Sequence, residues 1–369
     1  MSELFAALGG DFVEPRVIIE AALPLELSGE AVRGRICVFT DEEGREWALR
    51  PDLTLPVAVD EIERRRVGAS GERVVRYSAP VFRLPALPGE PVEFLQTGFE
   101  RFGGASDAES DASVFAAIAA ACAASGATGG LVTLGDLGIF PAFVDALGLA
   151  PETASGLKRA FRQEGGVRAY LNAKRDGAAS DLSERMRGMS ASEVAAFVDD
   201  IFALTGVRPV GDRSAEEIAE RLHQRANAQA AGTIDAQVKA LLESILAIDD
   251  EAGAALRQLK ALAETQGLSS VAPALARLEE RTARMSELMP ELMREARFST
   301  RYGRRFTYYD GFVFEIAASL ADSAAGRPYA AGGRYDQLLN DLSGGEISAC
   351  AVGGIVVPHR LAAASGDQS

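Results

Sequence analysis

Strand-like sequence occupies both ends of this chain, and a long helical stretch separates them. Near the N-terminal end, 74–78 and 131–134 are short apolar runs bounded by polar or glycine punctuation, as strands are. Towards the C-terminal end, 308–316 (YYDGFVFEI) is rich in aromatic and β-branched residues, and 348–357 (SACAVGGIVV) reads as a buried strand broken by two glycines. Between these ends the apolar period changes to that of a helix. Ser190 and Glu193 form a capping box ahead of Val194, Phe197, Val198 and Ile201, and Ser214 with Glu217 repeats the device. Val238, Leu241, Leu242 and Ile245 make a further apolar stripe, read as core packing, whereas 223–232 is weakly patterned and reads as a helix end or loop. The simplest architecture is an α+β domain made of 1–145 and 296–369, interrupted by a helical insertion over 146–295.

The segment 94–103 (FLQTGFERFG) carries the first chemical signal. On a strand, Gln96, Gly98 and Glu100 share one face, which is polar with a gap at its centre. Such a face suits the floor of a small-ligand site, and it equally suits solvated strand surface. Farther on, 330–336 (AAGGRYD) reads as a glycine turn leading into a short helix at Gln337, Leu338 and Leu339.

Composition narrows the function classes. The 369 residues include 38 basic and 53 acidic ones, for a net charge of −15. Nucleic-acid binders draw most of their affinity from Lys and Arg against phosphate, so this balance argues against such a partner. Cys37, Cys122 and Cys350 lie too far apart for a metal-ligand pair, and the histidines His223 and His359 are isolated, so neither a metal nor another cofactor is expected. There is no signal-peptide pattern and no apolar run of membrane-spanning length, which points to a cytoplasmic protein.

Taken in order, six segments resemble the catalytic core of class-II histidyl-tRNA synthetases over 11–145 and 296–362. The segment 50–54 (RPDLT) is similar to that family's RPEGT. Segment 77–83 (YSAPVFR) is similar to the second class-II motif, and FLQTGFERFG to its continuation. Segments 308–315 (YYDGFVFE) and AAGGRYD are similar to the two histidine-specific motifs, and 351–361 (AVGGIVVPHRL) lies where the third class-II motif should. The resemblance implies an antiparallel sheet with flanking helices and a pocket for histidine. In that pocket Asp52 and Thr54 meet the ammonium, Gln96 bridges ammonium and carboxylate, and Arg304 pairs with the carboxylate. Glu100 accepts from the imidazole, while Tyr309 and Tyr335 close the walls. Asp52 stands where the family has glutamate, one methylene longer.

The nucleotide machinery departs from the family. Arg83 and Arg360 match the phosphate-binding arginines, but 84–93 (LPALPGEPVE) has no basic residue, and Glu90 and Glu93 there repel a triphosphate. Val357 and Pro358 replace a Gly-Leu pair. The sequence stops about ten residues past Arg360, where the synthetases continue into an anticodon-binding domain. This pattern, together with the phrase 38–58 (VFTDEEGREWALRPDLTLPVA), is similar to the regulatory subunits of short-form ATP phosphoribosyltransferase. That resemblance implies a subunit without catalysis of its own. It would activate the short catalytic subunit in the first step of histidine biosynthesis and take L-histidine as feedback effector. It would form dimers within a hetero-octamer, with no tRNA partner. A stand-alone histidine-binding or scaffold paralogue, or a residual amino-acid-activating enzyme, are the other readings.

Overall fold

The computed structural model describes residues 5–127, 129–163, 165–173, 189–190, 192–197, 200, 234–303 and 307–366. Two compact units emerge, one from 1–142 with 245–369, the other from 143–244. Sequence texture set the insertion at 146–295, yet the helices Ala252–Thr265 and Ala272–Leu288 belong to the first unit. One tie to that unit is Arg281 on the second of these helices. It is buried and ion-paired to Asp111 and Asp136 of the first unit, a tie that apolar periodicity does not reveal.

The first unit is built on a nine-stranded sheet in the order β1-β5-β6-β12-β11-β10-β7-β9-β8. Its strands are β1 (Asp11–Phe12), β5 (Arg73–Phe82), β6 (Glu93–Phe102), β7 (Leu131–Asp136), β8 (Asp249–Glu251), β9 (Arg297–Ser299), β10 (Phe312–Ala317), β11 (Ala330–Arg334) and β12 (Ala351–Val356). Pairing is antiparallel except where β1 meets β5 and β7 meets β9. A smaller sheet has the order β2 (Ile18–Glu20), β4 (Glu46–Leu49), β3 (Val38–Thr40).

Two helices clothe the main sheet on opposite faces. Helix Thr54–Arg66 buries Leu55, Ala58 and Ile62 in one cluster with Val75 and Tyr77 of β5 and Tyr335 beyond β11. On the other face lies helix Ala108–Ala124. Its N-cap Asp107 accepts a hydrogen bond from the Ser110 amide, and acidic Glu109 and Asp111 occupy the first turn, where the helix dipole favours them. Phe115 of this helix meets Phe314 of β10 edge-on, with ring centres 5.2 Å apart.

Three expectations about the C-terminal segments need correction. The AAGG run is strand β11, not a turn. Glycine is required there because a Cβ at Gly332 would stand 2.4 Å from the Gly353 carbonyl of β12. Likewise β12 runs through Gly353 and Gly354 unbroken, and of 308–316 only Phe312 onward is strand. The Ser190–Glu193 capping box is present. The Ser190 amide donates to the Glu193 carboxylate at 2.7 Å, and the Glu193 amide to the Ser190 hydroxyl at 3.3 Å. Val194 behind it is buried, as are Leu241, Leu242 and Ile245. Ser214, Glu217 and the segment 223–232 lie outside the described residues.

Candidate functional site: a buried carboxylate ringed by hydroxyls

Register assembles the site. Tyr77 on β5 pairs with Gly98 on β6, and Gly353 on β12 pairs with Glu100, so these positions share one face of the sheet with Gln96. Helix Thr54–Arg66 begins over that face and brings Asp52 and Thr54 to it.

Glu100 is the centre. It is 1 % exposed and receives three hydroxyl donors. Thr54 and Tyr77 donate to Oε1, each at 2.7 Å, and Tyr335 donates to Oε2 at 2.5 Å. Burial outweighs these donors, and with the nearby Asp52 charge it pushes the Glu100 carboxyl up to about 7. Gly353 makes the space for this carboxylate, since a Cβ there would lie 1.7 Å from Oε2.

Asp52 and Gln96 present a different state. Both are buried, at 4 % and 3 % exposure. Asp52 Oδ1 accepts from the Leu55 amide at 3.0 Å, whereas Asp52 Oδ2 and Gln96 Oε1 have no hydrogen-bond partner among the described residues. An unpaired buried acceptor costs about 1–3 kcal/mol, so two in one site mark a place where donors are awaited. Burial also raises the Asp52 carboxyl above the usual range, against the pull of Arg83.

The aromatic wall is a cluster of three tyrosines. Tyr308 and Tyr309 have ring centres 4.7 Å apart, and Tyr335 stands edge-on to both at 5.9 and 6.2 Å. Sequence reading singled out Tyr309 and Tyr335 and missed Tyr308 and Tyr77. The available signal for Tyr77 was Gly98, the gap opposite it on β6: a Cβ at 98 would lie 3.0 Å from the Tyr77 ring. Thus Asp52, Thr54, Gln96, Glu100, Tyr309 and Tyr335 fall together, while Arg304 lies outside the described residues.

Beside this pocket, Arg83 and Arg360 each place a guanidinium 5.5 Å from the centre of the Phe94 ring. Arg83 also donates to the Pro51 carbonyl at 2.6 Å, and Arg360 to the Pro328 carbonyl at 3.3 Å. Burial pulls Arg83 down to about 10, with Asp52 opposing and Arg360 assisting. Glu90, expected to repel a triphosphate, is paired with Arg35 from outside the loop at 3.2 Å and accepts from the Ala86 amide, which together offset its charge. Val357 is buried in the core, and Pro358 takes the first helical position of Pro358–Ser365, where its missing amide costs nothing. No group of side chains suited to a metal ion, and no helix long and apolar enough to cross a membrane, occurs among the described residues.

Known proteins share this fold and sequence pattern. The sequence pattern of histidyl-tRNA synthetases matches residues 1–194 and 193–354. An ATP phosphoribosyltransferase regulatory subunit of Mesorhizobium japonicum is 34% identical over 358 residues, covering 93% of this chain and 90% of that one. The regulatory subunit of Agrobacterium fabrum is 31% identical over 99% of this chain and 95% of its own. Among solved structures, a regulatory subunit/histidyl-tRNA synthetase from Bacillus halodurans superposes with a TM-score of 0.62 at 21% identity, covering 98% of this chain and 76% of that one, a likeness of fold. A histidyl-tRNA synthetase from Nostoc gives a TM-score of 0.59 at 15% identity, over 100% and 70% of the two chains. With the fold of a histidyl-tRNA synthetase core and curated relatives matched along nearly their whole length, the chain belongs to the family of ATP phosphoribosyltransferase regulatory subunits.

Proposed function

We propose that this subunit binds L-histidine in the pocket around Glu100 and passes that signal to a short-form ATP phosphoribosyltransferase catalytic subunit. It activates the partner when histidine is scarce and restrains it when histidine accumulates. The observation that carries the ligand is the pair of orphaned acceptors, Asp52 Oδ2 and Gln96 Oε1. An α-ammonium group supplies three N–H donors, which is what two buried acceptors and the lone pairs of the Thr54 hydroxyl need. Glu100, held near neutrality and walled by Tyr309 and Tyr335, suits an imidazole N–H, and a carboxyl poised at about 7 can share a proton with a ring of similar basicity. Arg304 is the cation assigned to the ligand carboxylate, by resemblance alone.

The regulatory logic is linkage. Histidine favours one arrangement of the complex, and a difference of about 1–3 kcal/mol between arrangements changes affinity about 5–150-fold. The assembly is a dimer of this chain within a hetero-octamer, in the cytoplasm and without transfer RNA. The acidic net charge of −15 and the base-free loop 84–93 both favour that exclusion.

The test is turnover of the organism's short catalytic subunit, measured alone, with this chain, and with this chain plus L-histidine. Activation on mixing, reversed by histidine, is the expected result. An unchanged rate with no co-elution overturns the regulatory reading.

A further inference from the structure

Each of the two tyrosines expected to wall the pocket is followed by an aspartate that lines a separate space. Asp310 follows Tyr309, Asp336 follows Tyr335, and both border a polar cleft of about 140 Å³ together with Asp111, Arg281 and Arg334. Strand alternation explains the division: Tyr335 reaches the pocket face of the sheet, and Arg334 reaches the face covered by helix Ala108–Ala124.

A chain of charges runs through the floor of this cleft. Asp136 Oδ2 accepts from Arg281 Nη1 at 2.7 Å, and Arg281 Nε donates to Asp111 Oδ2 at 2.8 Å. Asp111 Oδ1 accepts from Arg334 Nε at 2.7 Å, and Arg334 Nη1 donates to Asp336 Oδ1 at 2.9 Å. Asp111 is 1 % exposed and has both oxygens engaged. Five aspartates and three arginines line the cleft, and the ion chain joins three of those aspartates to two of the arginines. Its reach is toward the pocket.

Two further clasps hold Tyr335. Asp310 accepts from the amides of Asp336 at 3.2 Å and Gln337 at 2.6 Å, and the Asp310 amide donates to the Arg334 carbonyl at 3.1 Å. Asp336 Oδ1 also accepts from the Ala351 amide at 2.8 Å, and the Tyr335 amide donates to the Ala351 carbonyl at 2.8 Å. The residues on either side of Tyr335 are therefore fixed by groups outside the pocket, and their geometry determines where its hydroxyl points.

We propose that Asp111, which does not touch the pocket, is a positioning residue for it: through Arg334 it locks the 334–336 segment and thereby holds the Tyr335 hydroxyl on Glu100. The affinity of the pocket for its ligand then depends on an ion chain on the far face of the sheet, where helices Ala108–Ala124 and Ala272–Leu288 meet. One of the two readouts below rests on the histidine reading, and the other does not.

The experiment is a double-mutant cycle on the full chain with Asp111→Asn and Tyr335→Phe. Carbon NMR of glutamate-labelled protein follows the Glu100 carboxyl, whose signal is identified by its loss in Glu100→Gln. The other groups facing that carboxyl, Thr54, Tyr77, Tyr308, Tyr309 and Asp52, are unchanged throughout. Asp111→Asn should raise the Glu100 midpoint by about half a pH unit or more, because a loosened donor stabilises the carboxylate less, and should raise it no further in the Tyr335→Phe background. Calorimetric titration with L-histidine should show about a fivefold or greater loss of affinity from Asp111→Asn in the wild-type background and less than about twofold in the Tyr335→Phe background. A midpoint that does not move, or effects equal in both backgrounds, would mean that the ion chain only stabilises the fold, and would overturn the proposal. If wild type itself does not bind histidine, the pocket reading fails while the Glu100 midpoint still decides the role of Asp111. Should Asp111→Asn not fold, Asp336→Asn releases Arg334 from its other side and is expected to act in the same direction.

Discussion

Replacing Glu100 by glutamine isolates the consequence of burying one carboxylate. The side chain keeps its size and can still meet the hydroxyls of Thr54, Tyr77 and Tyr335, but it no longer titrates. In the wild-type protein the carboxyl ionises at about 7, against an ordinary value of 4.5, an interval of about 2.5 pH units. At about 1.36 kcal/mol per unit this amounts to roughly 3 kcal/mol. The sign follows from proton counting. Between pH 4.5 and 7 the native state holds a proton that the unfolded chain has released, so stability falls as pH rises through that window and levels off above it. Below 4.5 both states are protonated and the group contributes nothing. Urea unfolding of wild type and Glu100→Gln at half-unit steps from about pH 4.5 to 8 measures the difference, in which carboxylates common to both proteins, Asp52 among them, largely cancel. Wild type should lose about 3 kcal/mol relative to the variant across the window. A difference that stays flat, or that moves in favour of wild type as pH rises, would refute the view that burial dominates over the three hydroxyl donors.

Two other substitutions probe the same site. Glu100→Ala should weaken L-histidine binding by about 1–3 kcal/mol in a calorimetric titration, because a buried ring N–H is left without its acceptor, and unchanged affinity removes Glu100 from the pocket. Gly353→Ala puts a methyl group where Glu100 Oε2 and the Phe99 carbonyl now lie, at 1.7 and 2.6 Å, and is expected to destabilise the fold by about 1–3 kcal/mol in denaturant unfolding, with no loss expected if β12 can shift freely away from β6.

Most of the pocket was legible because its residues lie on a strand with polar alternation or inside motifs whose order is distinctive. Gln96 and Glu100 could be placed on one face of β6 by period alone, and Asp52 and Thr54 followed from the resemblance. What period could not supply was the role of the glycines. The run Ala330–Gly333 reads locally as a turn, since glycine weakens a strand, and only the close approach of β12 at Gly332 and of β10 at Gly333 explains why a strand needs glycine there. The extent of the insertion was misjudged for a related reason. Helices Ala252–Thr265 and Ala272–Leu288 carry the same apolar period as those of the second unit, and the feature that ties the latter helix to the sheet is a charge, Arg281, which in a sequence looks like solvated surface.

Charged ties of this kind also suit such a core to regulation. A pocket lined only by apolar side chains would sense its ligand through contacts that are individually weak and spread over many residues. Here the groups that meet at Glu100 come from four places in the chain: Thr54 at a helix start, Tyr77 on β5, Glu100 on β6 and Tyr335 beyond β11. Oε1 carries two of these donors and Oε2 one, so all three hydroxyls share a single carboxylate with any further N–H that Oε2 accepts. Tyr335 is the member backed by charge, through Arg334 and Asp336 to Asp111. On the proposed role of Asp111, a disturbance at its hydroxyl would meet buried ion pairs on the far face of the sheet instead of soft packing. Arg281 extends the same ion chain to helix Ala272–Leu288, and the covalent step from Arg334 to Tyr335 is what joins that chain to the hydroxyls around Glu100.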